Sequence, residues 1–187
     1  MISKKERQKI EQICEQALRK ATPSKAERLR TILFCEGKAR ELGSELEKAG
    51  VKAEVEIQGS IAKDTWLAGE KDIDMFILLP KTYRRDDFPK VLNIVKKAAG
   101  ENWLEAYAEH PYIEARIDEF TIDFVPAFKI EMAQEAKSSV DRTPLHTEYV
   151  KRHLNEEGKK EVRLLKRFMH GTGTYGAEIK VGGFSGY

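Results

Sequence analysis

Asp72-Ile73-Asp74-Met75-Phe76-Ile77-Leu78-Leu79 leaves its stretch of chain one reasonable shape, because two carboxylates two residues apart run into five apolar side chains and stop at Pro80. A short apolar run closed by proline reads as a buried strand. Side chains alternate along a strand, so Asp72 and Asp74 share a face. Two neighbouring carboxylates repel unless something positive lies between them. Mg²⁺ suits that place, since it takes oxygen ligands at about 2.0–2.1 Å and binds through one or two carboxylates together with substrate phosphates. A solvated strand end is the competing reading.

The chain around this strand reads as a small mixed α/β unit. Ser3-Lys4-Lys5-Glu6 has capping-box spacing, and Ile10, Ile13, Cys14, Ala17 and Leu18 then recur on one helical face, which ends near Thr22-Pro23. A second helix follows, with Pro23 placed in its first turn and Leu29, Ile32, Leu33, Leu42 and Leu46 as its apolar stripe up to Gly50. Val51, Ala53, Val55 and Ile57 alternate with charged residues as in a half-buried strand. A short helix-like stretch is expected over 61–67 and a helix over 87–100. Strands are expected near 103–109, 111–117 and 120–128, the last two joined by a tight turn at Asp118-Glu119. Thr143-Pro144 opens another helix, and Val162, Leu165, Phe168 and Met169 mark one more before a Gly-rich end.

Composition narrows the setting. With 187 residues, 41% hydrophobic and 34% charged, the chain can bury a real core, and no apolar run approaches the roughly 20 residues that span a bilayer. Met1 to Ile10 carries charge and no apolar core of a secretory signal, so a cytoplasmic location is expected. Cys14 and Cys35 lack a CxxC or Cys/His partner set, which argues against a disulfide framework or a zinc site. Residues 1–40 carry 11 basic and 5 acidic side chains, residues 41–150 carry 14 and 22, and residues 151–187 carry 8 and 4. An acidic middle between basic ends suits a cation site beside a phosphate-binding surface, although solvated helix faces would look the same.

Asp123 stands alone among apolar neighbours in Thr121-Ile122-Asp123-Phe124-Val125-Pro126. A carboxylate in such a strand is costly unless it is paired or bound to metal. A buried salt bridge would explain it, and so would a third metal ligand beside Asp72 and Asp74, as a two-metal site requires. Gly59-Ser60 ends the preceding strand thirteen residues before Asp72. Glycine lets backbone N–H groups approach a triphosphate, serine adds a hydroxyl donor, and the start of a helix favours anions. As a dipeptide it is equally an ordinary turn.

Gly59-Ser60, Asp72-Ile73-Asp74 and Asp123 on a later strand resemble the signature of the DNA polymerase beta-like nucleotidyltransferase superfamily. Longer segments sharpen the likeness: Gly-Ser-Ile-Ala-Lys-Asp-Thr-Trp-Leu (59–67), Ala-Glu-His-Pro-Tyr (108–112), Ser-Val-Asp-Arg-Thr-Pro-Leu-His (139–146), Glu-Val-Arg-Leu-Leu-Lys (161–166) and the stretch from Tyr175 to Tyr187. These resemble the archaeal, class I CCA-adding enzymes, which are tRNA nucleotidyltransferases.

The resemblance implies an α+β fold with a mixed, mostly antiparallel sheet of about five strands and flanking helices. Residues 1–142 would form the catalytic head with its N-terminal helices, and 143–187 a helical segment that completes the nucleotide pocket and begins a further domain. Asp72, Asp74 and Asp123 would hold two Mg²⁺ ions, with Asp123 polarising the tRNA 3′-hydroxyl. Ser60 and Lys63 would meet the phosphates, Thr143 and His146 the nucleotide's sugar, and Lys166 and Tyr175 the triphosphate or ribose. CTP, ATP and the tRNA 3′ end would be the partners, and tRNA binding would need further domains or a second chain. Bland readings stand beside these: Thr143 as a helix N-cap, His146 and Tyr175 as surface or packing residues, Lys166 as an exposed helix lysine. Trp66 and His110 read as scaffold. Lys63 stands where the family usually has arginine, which keeps the charge and loses the bidentate fork. A poly(A)-adding or protein-modifying nucleotidyltransferase of the same superfamily is an alternative, as is a non-catalytic nucleotide-binding subunit of an RNA-binding assembly.

Overall fold

Ser3 and Ser24 each start a helix with a capping box: the serine hydroxyl accepts from the backbone N–H three residues on, and the glutamate there accepts from the serine's own N–H. In the computed structural model, which describes residues 2–175, these helices are α1 (Lys4–Ala21) and α2 (Lys25–Lys48). Residues 176–187, most of the last motif, lie outside the described residues. Pro23 is not in the first turn of α2. It stands one residue ahead of Ser24, whose capping box with Glu27 fixes the start.

The remaining elements are β1 (Glu54–Ile57), α3 (Gly59–Ala62), β2 (Asp72–Leu79), α4 (Phe88–Ala99), β3 (Trp103–Tyr107), β4 (Pro111–Ile117), β5 (Phe120–Phe128), α5 (Thr143–His153) and α6 (Glu156–Thr172). The five strands form one sheet in the order β1-β2-β5-β4-β3. Among the described residues only the β2–β5 pair is parallel, so the sheet is mixed and mostly antiparallel, as the resemblance implied. Asp118, with φ of 54°, makes the tight turn between β4 and β5. Among the described residues no helix is long and apolar enough to cross a membrane.

Alternation divides the sheet into two faces. Ile73, Met75 and Ile77 of β2, Ile113 and Ala115 of β4, and Ile122 and Phe124 of β5 join Leu42 and Leu46 of α2 and Val91, Leu92 and Val95 of α4 in one core. Each such aliphatic side chain contributes about 1.5–3 kcal/mol on burial. The other face carries Asp72, Asp74, Glu114 and Asp123, and beyond them a smaller cluster of Phe76, Leu78 and Ala127. The sheet is therefore apolar on the side packed by α2 and α4 and acidic on part of the other.

Of the five residues in the expected stripe of α2, only Leu42 and Leu46 are buried. Thr31, Cys35, Leu42 and Leu46 are its buried residues, whereas Leu29, Ile32 and Leu33 are 60%, 47% and 58% exposed. Residue 33 lies roughly 200° round a helix from residue 31, so the two sets cannot both face the sheet. Ile10 and Ile13 of α1 and Leu165 and Phe168 of α6 are likewise exposed. Leu46→Ala should thus lower stability by about 2–5 kcal/mol, while Leu33→Ala should change it by no more than about 0.5 kcal/mol. Urea denaturation of the two variants checks this, and equal losses would contradict the assignment of faces.

Candidate functional site

The register of the parallel pair sets Asp74 opposite Asp123, and the antiparallel pair beyond it sets Asp123 opposite Glu114. Asp72 lies two residues before Asp74 on the same face, opposite Thr121. Glu114 was missed in the sequence because it sits in an unremarkable alternation; only the pairing register brings it beside Asp123. The Asp123 carboxyl is pushed up to about 7, by burial first and then by Asp74, Glu114 and Asp72. Burial also raises Asp74, with Asp72 adding to the effect while Lys63 and Lys166 oppose it.

One atom shows what this arrangement lacks. Asp123 Oδ1 is buried with no hydrogen-bond partner among the described residues. A buried salt bridge was the rival explanation for Asp123, and among the described residues no ion pair involves it. An orphaned carboxylate oxygen facing further carboxylates fits a divalent cation with oxygen ligands. Among the described residues the carboxylates are not gathered into a closed set of three ligands.

Against Asp74 stands the turn that follows β1. The Gln58 N–H donates to the Asp74 carbonyl at 2.8 Å, which brings the start of α3 onto β2. Gly59 has φ of 63°, and a Cβ there would lie 1.7 Å from Asp74 Oδ2. No other residue fits both the left-handed backbone and the space. α3 is a single turn of four residues, so the expected helix-start contribution reduces to local N–H groups and close approach. Ser60 is half-buried in this turn, and Lys63 ends it as a buried side chain.

The cations complete the picture. Burial lowers the Lys63 ammonium, while Asp74 raises it and Lys166 lowers it. Lys166 on α6 is buried rather than exposed, and its ammonium is lowered by burial against the pull of Glu70 and Asp74. Two lysines from different elements therefore attend one aspartate. Tyr175 stacks on His170 at 4.0 Å, and the Lys166 Nζ lies 5.9 Å from its ring centroid, so these two expected residues also come together.

A cavity of about 400 Å³ opens beside Asp74 and Asp123 and is walled by Tyr112, His110, Ser139 and Thr143 among others. Thr143 is the first residue of α5 and makes no side-chain cap, which corrects its reading as an N-cap. His146 is exposed and is not part of that wall. His110 does pack edge-on against Phe88 at 5.1 Å, as a scaffold residue would, yet it also lines the cavity and its Nε2 is buried without a partner among the described residues. The approach to α5 is fixed by Asp141, buried at 1% exposure, which accepts from the N–H groups of Phe128, Lys137 and Ser138 at 2.8–3.0 Å. Trp66 is buried, consistent with its scaffold reading.

A family model described as a nucleotidyltransferase domain matches residues 38–146, which hold β1 to β5 and with them Asp72, Asp74 and Asp123. The chain belongs to the nucleotidyltransferase domain family. A second model, described as the second domain of tRNA nucleotidyltransferase, matches residues 160–187 and thus begins inside α6. The CCA-adding enzyme of Sulfurisphaera tokodaii is 52% identical over 136 residues, covering 71% of this chain and 32% of that protein. The CCA-adding enzyme of Pyrobaculum islandicum is 38% identical over 181 residues, covering 95% of this chain and 43% of that one. The chain thus spans about a third to two-fifths of the length of these relatives. Among solved structures, a cytoplasmic RNA terminal U-transferase superposes with a TM-score of 0.62 at 18% identity, over 94% of this chain and 49% of that one. The GLD-2/RNP-8 complex gives 0.66 at 13% identity, over 89% and 50%. At such identities these two establish the nucleotidyltransferase fold.

The raised Asp123 carboxyl has a pH consequence. The folded chain holds that proton more tightly than the unfolded chain does. The stability it contributes is therefore full below the ordinary carboxylate range and is lost as pH rises through about 7. In chelator, Asp123→Asn should gain in melting temperature relative to the parent chain between about pH 5 and about pH 8, and Mg²⁺ should narrow that gap at the upper end. A gap independent of both pH and Mg²⁺ would contradict the environment described for Asp123.

Proposed function

We propose that this chain is the catalytic head of a CCA-adding tRNA nucleotidyltransferase, transferring CMP or AMP from CTP or ATP to the tRNA 3′ end. The observation that carries the reading is the buried Asp123 Oδ1, without a partner among the described residues, on a strand in register with Asp74, with two buried lysines next to Asp74. The similarity to archaeal CCA-adding enzymes supplies the substrate. The proposed head covers residues 1–142, with 143–187 completing the pocket and leading into a tRNA-binding domain or partner.

Asp72, Asp74 and Asp123 would hold Mg²⁺. Bound there, the ion supplies positive charge for the phosphates and makes the attacking hydroxyl more acidic. In the transfer, the 3′-oxygen bonds to the α-phosphorus, the bond to pyrophosphate breaks with pyrophosphate leaving, and the hydroxyl proton passes to the Asp123 carboxylate. Asp123 orients that hydroxyl and accepts a hydrogen bond from it. Lys63 and Lys166 neutralise charge on the triphosphate, and the Ser60 hydroxyl donates to it. Thr143, on the cavity wall, meets the sugar, and Tyr175 lies with Lys166 on the phosphate or ribose side. His146 has the weakest support of the set, because it is exposed one turn beyond Thr143.

These contacts reach phosphate, metal and sugar, which position a nucleotide without reading its base. The isolated chain should accordingly bind Mg·ATP and Mg·CTP with affinities within about tenfold of each other, a gap of at most about 1.4 kcal/mol. Calorimetry measures this directly. No binding at millimolar nucleotide would overturn the reading, and a much larger gap would reveal a base-reading element within these residues.

A further inference from the structure

Asp64 follows Lys63 directly and has a left-handed backbone, with φ of 53°. It lies at the corner where the chain leaves the Ser60-Lys63 turn for the buried Thr65-Trp66-Leu67 segment. A non-glycine residue in that conformation needs its surroundings to hold it. The holding group comes from 99 residues further on. Arg163 of α6, 3% exposed, donates from Nε to the Trp66 carbonyl at 3.1 Å and from Nη2 to the Asp64 carboxylate at 2.7 Å and to the Asp64 carbonyl. Arg28 of α2 pairs with the same carboxylate, and Lys159 stands 3.4 Å from its second oxygen.

We propose that Arg163 is a positioning residue for triphosphate binding, acting through Asp64 to fix the Ser60-Lys63 turn and through its own helix to set Lys166 against that turn. The inference rests on the reading that this site binds a metal nucleotide, and it goes beyond that reading by naming what holds the two phosphate-facing lysines in register.

Three observations carry it. First, Arg163 and Lys166 are three residues apart on α6 and therefore share a face; both are buried, at 3% and 5% exposure. Second, Lys166 acts on Lys63 and Asp74 acts on both, so a shift of α6 relative to the turn would separate charges that now act on one point. Third, the contacts of Arg163 are those of a planar fork spanning two carbonyls and a carboxylate, a pattern an ammonium cannot reproduce. Burial alone would raise the Asp64 carboxyl, yet Arg28, Arg163 and Lys159 outweigh it and leave it below the ordinary value. The corner is thus held as a charged knot joining α2, α6 and the turn.

A simple packing pin would look similar in coordinates, and binding measurements separate the two. Mg·ATP and Mg·CTP are titrated calorimetrically into the whole chain, into Arg163→Lys, into Lys166→Met and into the double variant, alongside thermal melts. Arg163→Lys keeps the charge and loses the fork, so it should melt cooperatively and bind both nucleotides about tenfold more weakly. In the Lys166→Met background the same change should cost about threefold, less than in the parent, because one of the two groups it positions is gone and only its hold on the Ser60-Lys63 turn remains. Unchanged affinity with a lowered melting temperature, or penalties that multiply fully, would overturn the positioning role. If Arg163→Lys does not fold, Asp64→Asn takes its place with the same expected weakening, and parent-like affinity in that variant overturns the proposal. A parent chain that binds neither nucleotide overturns the functional reading itself and takes the positioning role with it. A parent chain that binds while the variants bind equally well overturns the positioning role alone.

Discussion

The parallel pairing of β2 with β5 forces Asp74 and Asp123 into neighbouring positions on one face, and the antiparallel partner beyond adds Glu114. Repulsion among these groups opposes the fold, because each carboxylate would be cheaper in water. The pairing survives because the opposite face of the same strands is the main core, where Ile73, Met75, Ile122 and Phe124 are almost wholly buried. A one-residue slip of β5 would send Asp123 into that core and Ile122 or Phe124 out of it. Hydrophobic burial on one side thus imposes an electrostatic problem on the other.

The lysines answer half of that problem. Lys63 and Lys166 arrive from separate elements and offset part of the charge on Asp74, while Asp123 keeps an oxygen without a partner among the described residues. The site therefore sets a carboxylate oxygen with no partner among the described residues beside two buried ammonium groups. In the proposed function a divalent cation would meet the carboxylates and the phosphates it carries would meet the lysines. Gly59 matters for the same reason, since only a residue without a side chain lets the Ser60-Lys63 turn lie directly on Asp74.

Much of this was legible in the sequence because it is local. The Asp72–Leu79 strand, the lone Asp123 among apolar neighbours and the Gly59-Ser60 turn each carry their own pattern, and all five strands fall close to where alternation and turn residues put them. Glu114 and the Arg163–Asp64 knot were not legible, since both depend on register or on contacts 99 residues apart. The apolar residues of α1, the first half of α2 and α6 misled in a different way. Periodicity identifies a helix, but it does not say whether Leu33 or Thr31 is the buried residue, and here Thr31 is. Thr143 beside Pro144 reads as a cap, yet the helix begins one residue earlier, so the hydroxyl is available to the cavity wall.

The central claim is that the acidic face of the sheet is a divalent-cation site completed by a nucleoside triphosphate. Manganese titration followed by electron paramagnetic resonance, with a non-hydrolysable nucleotide analogue present, tests it most directly. The chain should take up Mn²⁺, and Asp74→Asn should weaken that uptake by at least about tenfold, the scale seen when a group that shapes a metal site is lost. Equal Mn²⁺ binding by the parent chain and Asp74→Asn, with both folded, would contradict the account.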